Sequence, residues 1–243
     1  MKVYNLLFFA LVLSFFSCET TKEKNDTTAI SENLTTENSF EFGVWTTANN
    51  KKSNEDYAEE FKKYKSAGID EVLINTGTDP GLLKRITPIA TENGLKVHAW
   101  IMAMNRPGDT IALKHPEWYA VSREGKSCFD TRPYVGYYQW LCPTREESRN
   151  HVLGLVEGLA KVDGIESVHL DYIRFSDIFL PIGLLPKYDL VQDEELPEFD
   201  FCYCDVCIRE FEKIHHKNPR DIKNTDIDME WKQFRLNAVR NVV

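Results

Sequence analysis

Residues 168–177 read VHLDYIRFSD, an apolar run that ends in Asp171, Tyr172 and Arg174. A charged group beside a buried strand loses hydration unless it is paired, so these residues either satisfy one another or face a site. Asp171 has the chemistry of a nucleophile or a stabiliser of positive charge. Arg174 can orient a carboxylate through a charge-assisted bond, and Tyr172 can donate a hydrogen bond or stack on a ring. A second constellation carries different chemistry. Cys202, Cys204 and Cys207 form C-x-C-x2-C, with Cys128 and Cys142 earlier in the chain. Such closely spaced thiols suit a thiolate clip that Cys142 or Cys128 completes as a tetrahedron around a structural zinc. Disulfides are the competing reading if the chain is exported, although the cysteines after Cys18 are odd in number. His215 and His216 lie in no H-x-x-x-H or H-E-x-x-H spacing, which argues against a catalytic zinc.

Elements that could position these residues alternate along the chain. Strands are predicted over 40–46, 69–75, 95–102 and 164–171, and helices over 54–67, 80–93 and 145–162. Tyr57, Phe61 and Tyr64 share one face of the first helix, and Gly68 and Gly94 close the first two helices. Strands separated by helices of this length pair in parallel through right-handed crossovers, which predicts an α/β fold. Two further helices are expected near 206–216 and 229–243. Residues 105–144 form a long insertion rich in Pro, Gly and aromatic residues, longer than a scaffold loop needs.

A closed (β/α)8 TIM barrel takes about 250 residues, whereas residues 40–243 supply only four strands. The expectation is therefore the N-terminal half of such a barrel, about four βα units. The final FRLNAVRNVV reads as an unfinished helix, which suggests a piece of a longer protein; a complete open sheet is the alternative.

Residues 1–17 read as a targeting segment: Lys2, an apolar stretch over 6–16, then Ser17 before Cys18. The run LSFFSC resembles a bacterial lipoprotein signal, with Cys18 as the lipidated first residue; an ordinary secretory leader is the alternative. Both imply export, and the first implies a membrane partner through a lipid anchor in the cell envelope. Residues 18–39 have the polar composition of a flexible tether, and residues 40–243 form the folded domain. The formal charge of −9, without a Lys/Arg cluster, argues against a nucleic-acid partner.

Five motifs, "GVW", "ENGLKVHAWI", "HPEWYAVSREGK", "YYQWLCPTREESR" and "GIESVHLDYIRF", resemble the bacterial glycoside-hydrolase-like family ten group, (β/α)8-barrel glycosidases often found as exported lipoproteins. One departure is Leu141-Cys142-Pro143, where many relatives have Leu-Asp-Pro. The resemblance implies a carbohydrate substrate and no cofactor for catalysis. Glycoside hydrolysis needs two carboxyl groups across the scissile bond, and Asp171 resembles the strand-four nucleophile of several barrel glycosidase clans. The second carboxylate is expected beyond Val243, or as Asp130, Asp177 or Asp200. Trp45, Asn75 and Trp100 fall at strand ends, where ligands bind in barrels, and Tyr172, Tyr138 and Arg132 complete the expected substrate contacts. Each has a structural counterpart: an Asp171–Arg174 ion pair, tryptophans in the core, an insertion packed on itself. His169 is expected to fill the barrel interior. Two other functions remain open, a non-catalytic carbohydrate-binding lipoprotein and a metal-dependent hydrolase built on the cysteines.

Overall fold

The computed structural model describes residues 40–243; the leader, Cys18 and the tether lie outside the described residues. Four parallel strands, β1 (Gly43–Thr47), β2 (Glu71–Asn75), β3 (Lys96–Met102) and β4 (Ser167–Asp171), form one sheet in the order β1-β2-β3-β4. Between them run α1 (Asn54–Ser66), α2 (Pro80–Glu92) and α3 (Glu146–Ala160), and two helices follow β4, α4 (Asp205–His215) and α5 (Met229–Arg240). This is the α/β architecture of the (β/α)8 TIM barrel, represented by four βα units.

Local chemistry explains where the helices begin and end. Ser53 caps α1 in a reciprocal capping box with Asp56, and Gly68 follows the helix at φ +85°, a conformation that costs glycine little. Asp79 caps α2 through the Leu82 N–H, and Asp228 caps α5 through the Trp231 N–H. The first predicted strand begins later than expected because the chain before it serves the next strand: the Phe42 carbonyl accepts from the N–H groups of Asp70 and Glu71.

Alternation along the strands separates two faces. Val72, Ile74, Val97, Ala99 and Ile101 point to the helices and pack with Tyr57, Phe61, Leu83, Ile86 and Leu159 in one buried core. The opposite face carries Trp45, Leu73, His98, Trp100, His169 and Asp171, none of them fully buried. That face corresponds to the interior of a closed barrel. A second core lies beyond the strand ends, where Trp140, Tyr119, Tyr203, Phe211 and Trp231 gather around the cysteines.

Candidate functional site

Asp171 ends β4, in register with Met102 of β3. Its carboxylate accepts from the Trp100 indole Nε1 at 3.1 Å and from the Tyr172 N–H at 2.7 Å. Trp100 and His169 are paired neighbours on β3 and β4, and His169 faces the exposed ring of Trp45 across the open sheet at 6.1 Å between centroids. Trp45, Trp100, His169 and Asp171 thus line one concave surface. Asn75 reaches the same end of the sheet, but its Oδ1 accepts from the Gly77 N–H at 2.7 Å and shapes the turn into α2.

Immediately after Asp171 the backbone departs from strand geometry. Tyr172 adopts φ +51°, a conformation that for a bulky residue costs about 1–3 kcal/mol and persists only when its surroundings enforce it. Those surroundings are the aromatic insertion: the Trp140 ring lies 5.5 Å from Tyr172, and that of Tyr138 lies 6.0 Å away. Burial, then the neighbouring Tyr137 and Tyr138, push the Tyr172 phenol up to about 12, which keeps it a hydrogen-bond donor across the physiological range.

Arg174 takes a different partner from the one its position suggests. It donates to Asp177 at 2.7 Å and lies over the rings of Trp140 and Tyr172, so the carboxylate it orients is Asp177 and no Asp171–Arg174 ion pair forms. Asp177 also accepts from the hydroxyls of Tyr134 at 2.6 Å and Tyr138 at 3.3 Å. Arg132 turns inward and donates to the carbonyls of Cys128 and Phe129, a use of the guanidinium that stiffens the insertion. Asp200 is buried and held by Arg235 and the Tyr203 hydroxyl, while Asp130 is exposed.

The structure brings Cys142, Cys202, Cys204 and Cys207 together, all buried, with their sulfurs within 4.8 Å of one another. Cys142 Sγ lies 3.5 Å from both Cys204 Sγ and Cys207 Sγ. These separations are far beyond the ~2.05 Å of a disulfide. They approach the ~3.8 Å expected between sulfurs that each sit ~2.3 Å from a tetrahedral zinc. The donor set and spacing therefore fit a structural metal. The Val121 N–H donates to Cys202 Sγ at 3.3 Å, and the Arg145 guanidinium stands near Cys204 and Cys142, where it would offset part of a thiolate set's charge. Cys128 lies apart from this set, its thiol pushed up to about 12 by burial.

One polar cluster escaped the sequence reading. Asp109 accepts from Arg106 through Nε at 3.0 Å and Nη2 at 2.9 Å, and pairs with His151 Nε2 at 2.8 Å, all three side chains being buried. Burial would raise the Asp109 pKa, but the bonds from His151, the Ala112 N–H and Arg106 outweigh it and hold the carboxyl at about 2. The available signal was local: Asp109 Oδ1 accepts from the N–H groups of Ile111 and Ala112, the capping pattern of an Asp before a short helical turn.

No protein-family model and no curated protein matches the sequence. Among solved structures, the chain is similar to a polyextremophilic β-galactosidase from the Antarctic haloarchaeon Halorubrum lacusprofundi, at 14% identity and TM-score 0.50, covering 72% of this chain and 24% of that one. It is also similar to a β-galactosidase from the psychrophilic Marinomonas ef1, at 16% identity and TM-score 0.47, covering 72% and 25%. An α-galactosidase from Thermus thermophilus matches at 15% identity and TM-score 0.41, covering 56% and 32%. The chain thus spans between a quarter and a third of these enzymes' lengths, and what the first likeness shows is the fold.

Proposed function

We propose that the chain belongs to a glycoside hydrolase of the family ten-like group that acts on a poly- or oligosaccharide, with Asp171 as nucleophile or stabiliser of the oxocarbenium-like transition state. The observation that carries this reading is the setting of Asp171. Its carboxylate stands at the C-terminal end of a barrel strand, where catalytic residues of such barrels lie, and is oriented by Trp100. Aromatic rings at Trp45, Trp100 and Tyr172 suit the apolar faces of sugar rings, whereas Tyr138, expected beside them, is buried in the second core with its hydroxyl on Asp177. The likeness to a β-galactosidase makes galactosides the first substrates to try.

The partner carboxyl would protonate the leaving oxygen. It would stand about 5–5.5 Å from Asp171 in a retaining enzyme and about 6.5–9.5 Å in an inverting one. Asp177 and Asp200 suit that role poorly, because their oxygens are already taken by Arg174, Tyr134 and Tyr138 in one case and by Arg235 and Tyr203 in the other. The proton donor would then be the exposed Asp130 or a carboxyl group beyond Val243. The four-cysteine cluster is assigned a structural zinc with no part in bond cleavage. Export through residues 1–17 and lipidation of Cys18 would place the enzyme at the cell envelope, with incorporation of labelled fatty acid, lost in Cys18→Ala, as the check.

The test of the catalytic assignment is Asp171→Asn in the full-length protein. Hydrolysis of nitrophenyl galactosides and oligosaccharides should fall by about a thousandfold, while calorimetric affinity for the same sugars is retained. Unchanged turnover would remove Asp171 from the mechanism.

A further inference from the structure

The cysteine cluster ties together two loops that meet over the end of β4. Cys142 closes the aromatic insertion, while Cys202, Cys204 and Cys207 belong to the segment that follows β4. Backbone bonds bind the same two loops near the sulfurs: the Tyr203 N–H donates to the Val121 carbonyl at 2.7 Å, and the Arg123 N–H donates to the Asp200 carbonyl at 2.9 Å. In residues 105–144 the regular structure is confined to two short 3-10 turns and isolated bridges. That loop is held by its packing, its own backbone bonds, the Arg132 contacts to the Cys128 and Phe129 carbonyls, the Asp109–His151 pair and the cluster.

Two contiguous routes lead from the sulfurs to Asp171. Along the backbone, the Leu141 N–H donates to the Met104 carbonyl at 2.8 Å. The Met104 N–H donates to the Tyr172 carbonyl at 3.2 Å, and the Ala103 N–H to the Asp171 carbonyl at 2.7 Å. Through side chains, Trp140 stands two positions before Cys142 and packs on Tyr172 at 5.5 Å and beneath Arg174 at 5.1 Å, and Arg174 continues to Asp177. Trp140 is buried, so a shift of residue 142 displaces a ring that has little free space around it. The left-handed backbone at Tyr172 is a conformation that a bulky residue keeps only while such contacts enforce it.

We propose that a divalent ion held by Cys142, Cys202, Cys204 and Cys207 acts as a positioning clamp for Asp171, keeping Trp140 against Tyr172 and so fixing the chain where β4 ends. Metal occupancy then controls the geometry of the sugar-facing end of the sheet without touching substrate. By linkage, a ligand that requires the clamped arrangement also tightens metal retention. The clamp's purpose rests on the glycosidase reading; the coupling itself does not.

Hydrogen exchange of the full chain, read by mass spectrometry, tests the coupling with Zn²⁺ as the probe. The zinc-loaded protein should retain about one ion per chain. Removal by a competing chelator should speed exchange at least about tenfold in residues 118–142 and 199–207 and also in 171–177, leaving β1, β2, α1 and α2 protected. A 171–177 segment indifferent to the metal, a chain that retains no zinc, or uniform acceleration through global unfolding would each overturn the proposal. A second variant isolates the side-chain route. Trp140→Leu should keep its zinc yet exchange in 171–177 faster than the zinc-loaded wild type; protection unchanged from wild type would remove Trp140 from the relay. Turnover of galactosides by the loaded wild type separates the two readings. No hydrolysis with coupled exchange defeats the glycosidase and leaves the clamp; hydrolysis with uncoupled exchange does the reverse.

Discussion

The core beneath α1, α2 and α3 and the core around the cysteines bury similar apolar residues by different means. In the first, Val72, Ile74, Val97, Ala99 and Ile101 alternate along strands whose backbone groups are paired in a ladder, and helices cover them. In the second, Trp140, Tyr119, Tyr203, Phe211 and Trp231 converge from loops and from α4 and α5, with irregular backbone bonds and four sulfurs at the centre. Regular pairing makes the first core independent of any bound group. The second has exchanged that independence for freedom to place side chains such as Tyr172 and Arg174 over the end of β4.

Three substitutions sharpen this contrast, in order of expected effect. Phe61→Ala should remove about 3–5 kcal/mol of stability, since the ring is wholly buried between α1 and the sheet. Chemical denaturation should register that loss while zinc stoichiometry stays the same; a loss of zinc would show that the cores are not separable. Asp109→Asn should cost about 3 kcal/mol at neutral pH, because it leaves Arg106 and His151 without their buried partner. The folded carboxyl titrates at about 2, below the ordinary value near 4, so its stabilisation is complete above about pH 4 and is lost as pH falls through 2. Wild type and variant should therefore converge in acid, which melting curves between pH 7 and 2 can follow. Ser53→Ala, which removes the cap of α1, should cost about 1 kcal/mol and leave exchange in 171–177 unaltered.

What could be read in advance follows the same division. The strands and helices of the first core announce themselves by period and by their ends, with Gly68 and Gly94 marking boundaries that hold within a few residues. The position of Asp171 at the end of β4 followed from that rhythm. The partners of the loop residues did not. Arg174 pairs with Asp177, a carboxylate on which Tyr134 and Tyr138, some forty positions earlier, also converge. Asp109 meets His151 only because the insertion folds back onto α3. Aromatic composition told that residues 105–144 would pack on something, but a loop without period carries no record of which side chains turn inward. The cysteines are the exception within the second core: their spacing suggested the thiolate cluster, and the fold selected Cys142 over Cys128 as its fourth member.

A metal held by the cluster would join Cys142 to Cys202, so that α3, β4 and the loop after it would form a closed lasso of about sixty residues whose neck is the four sulfurs. Closure entropy rises only with the logarithm of length, and doubling such a lasso would cost about 0.6 kcal/mol. Residues 178–196, opposite the neck, are thus the place where length can be added or removed at small thermodynamic cost. Segments grafted there should leave β4 in register, because its ladder to β3 lies outside the altered stretch.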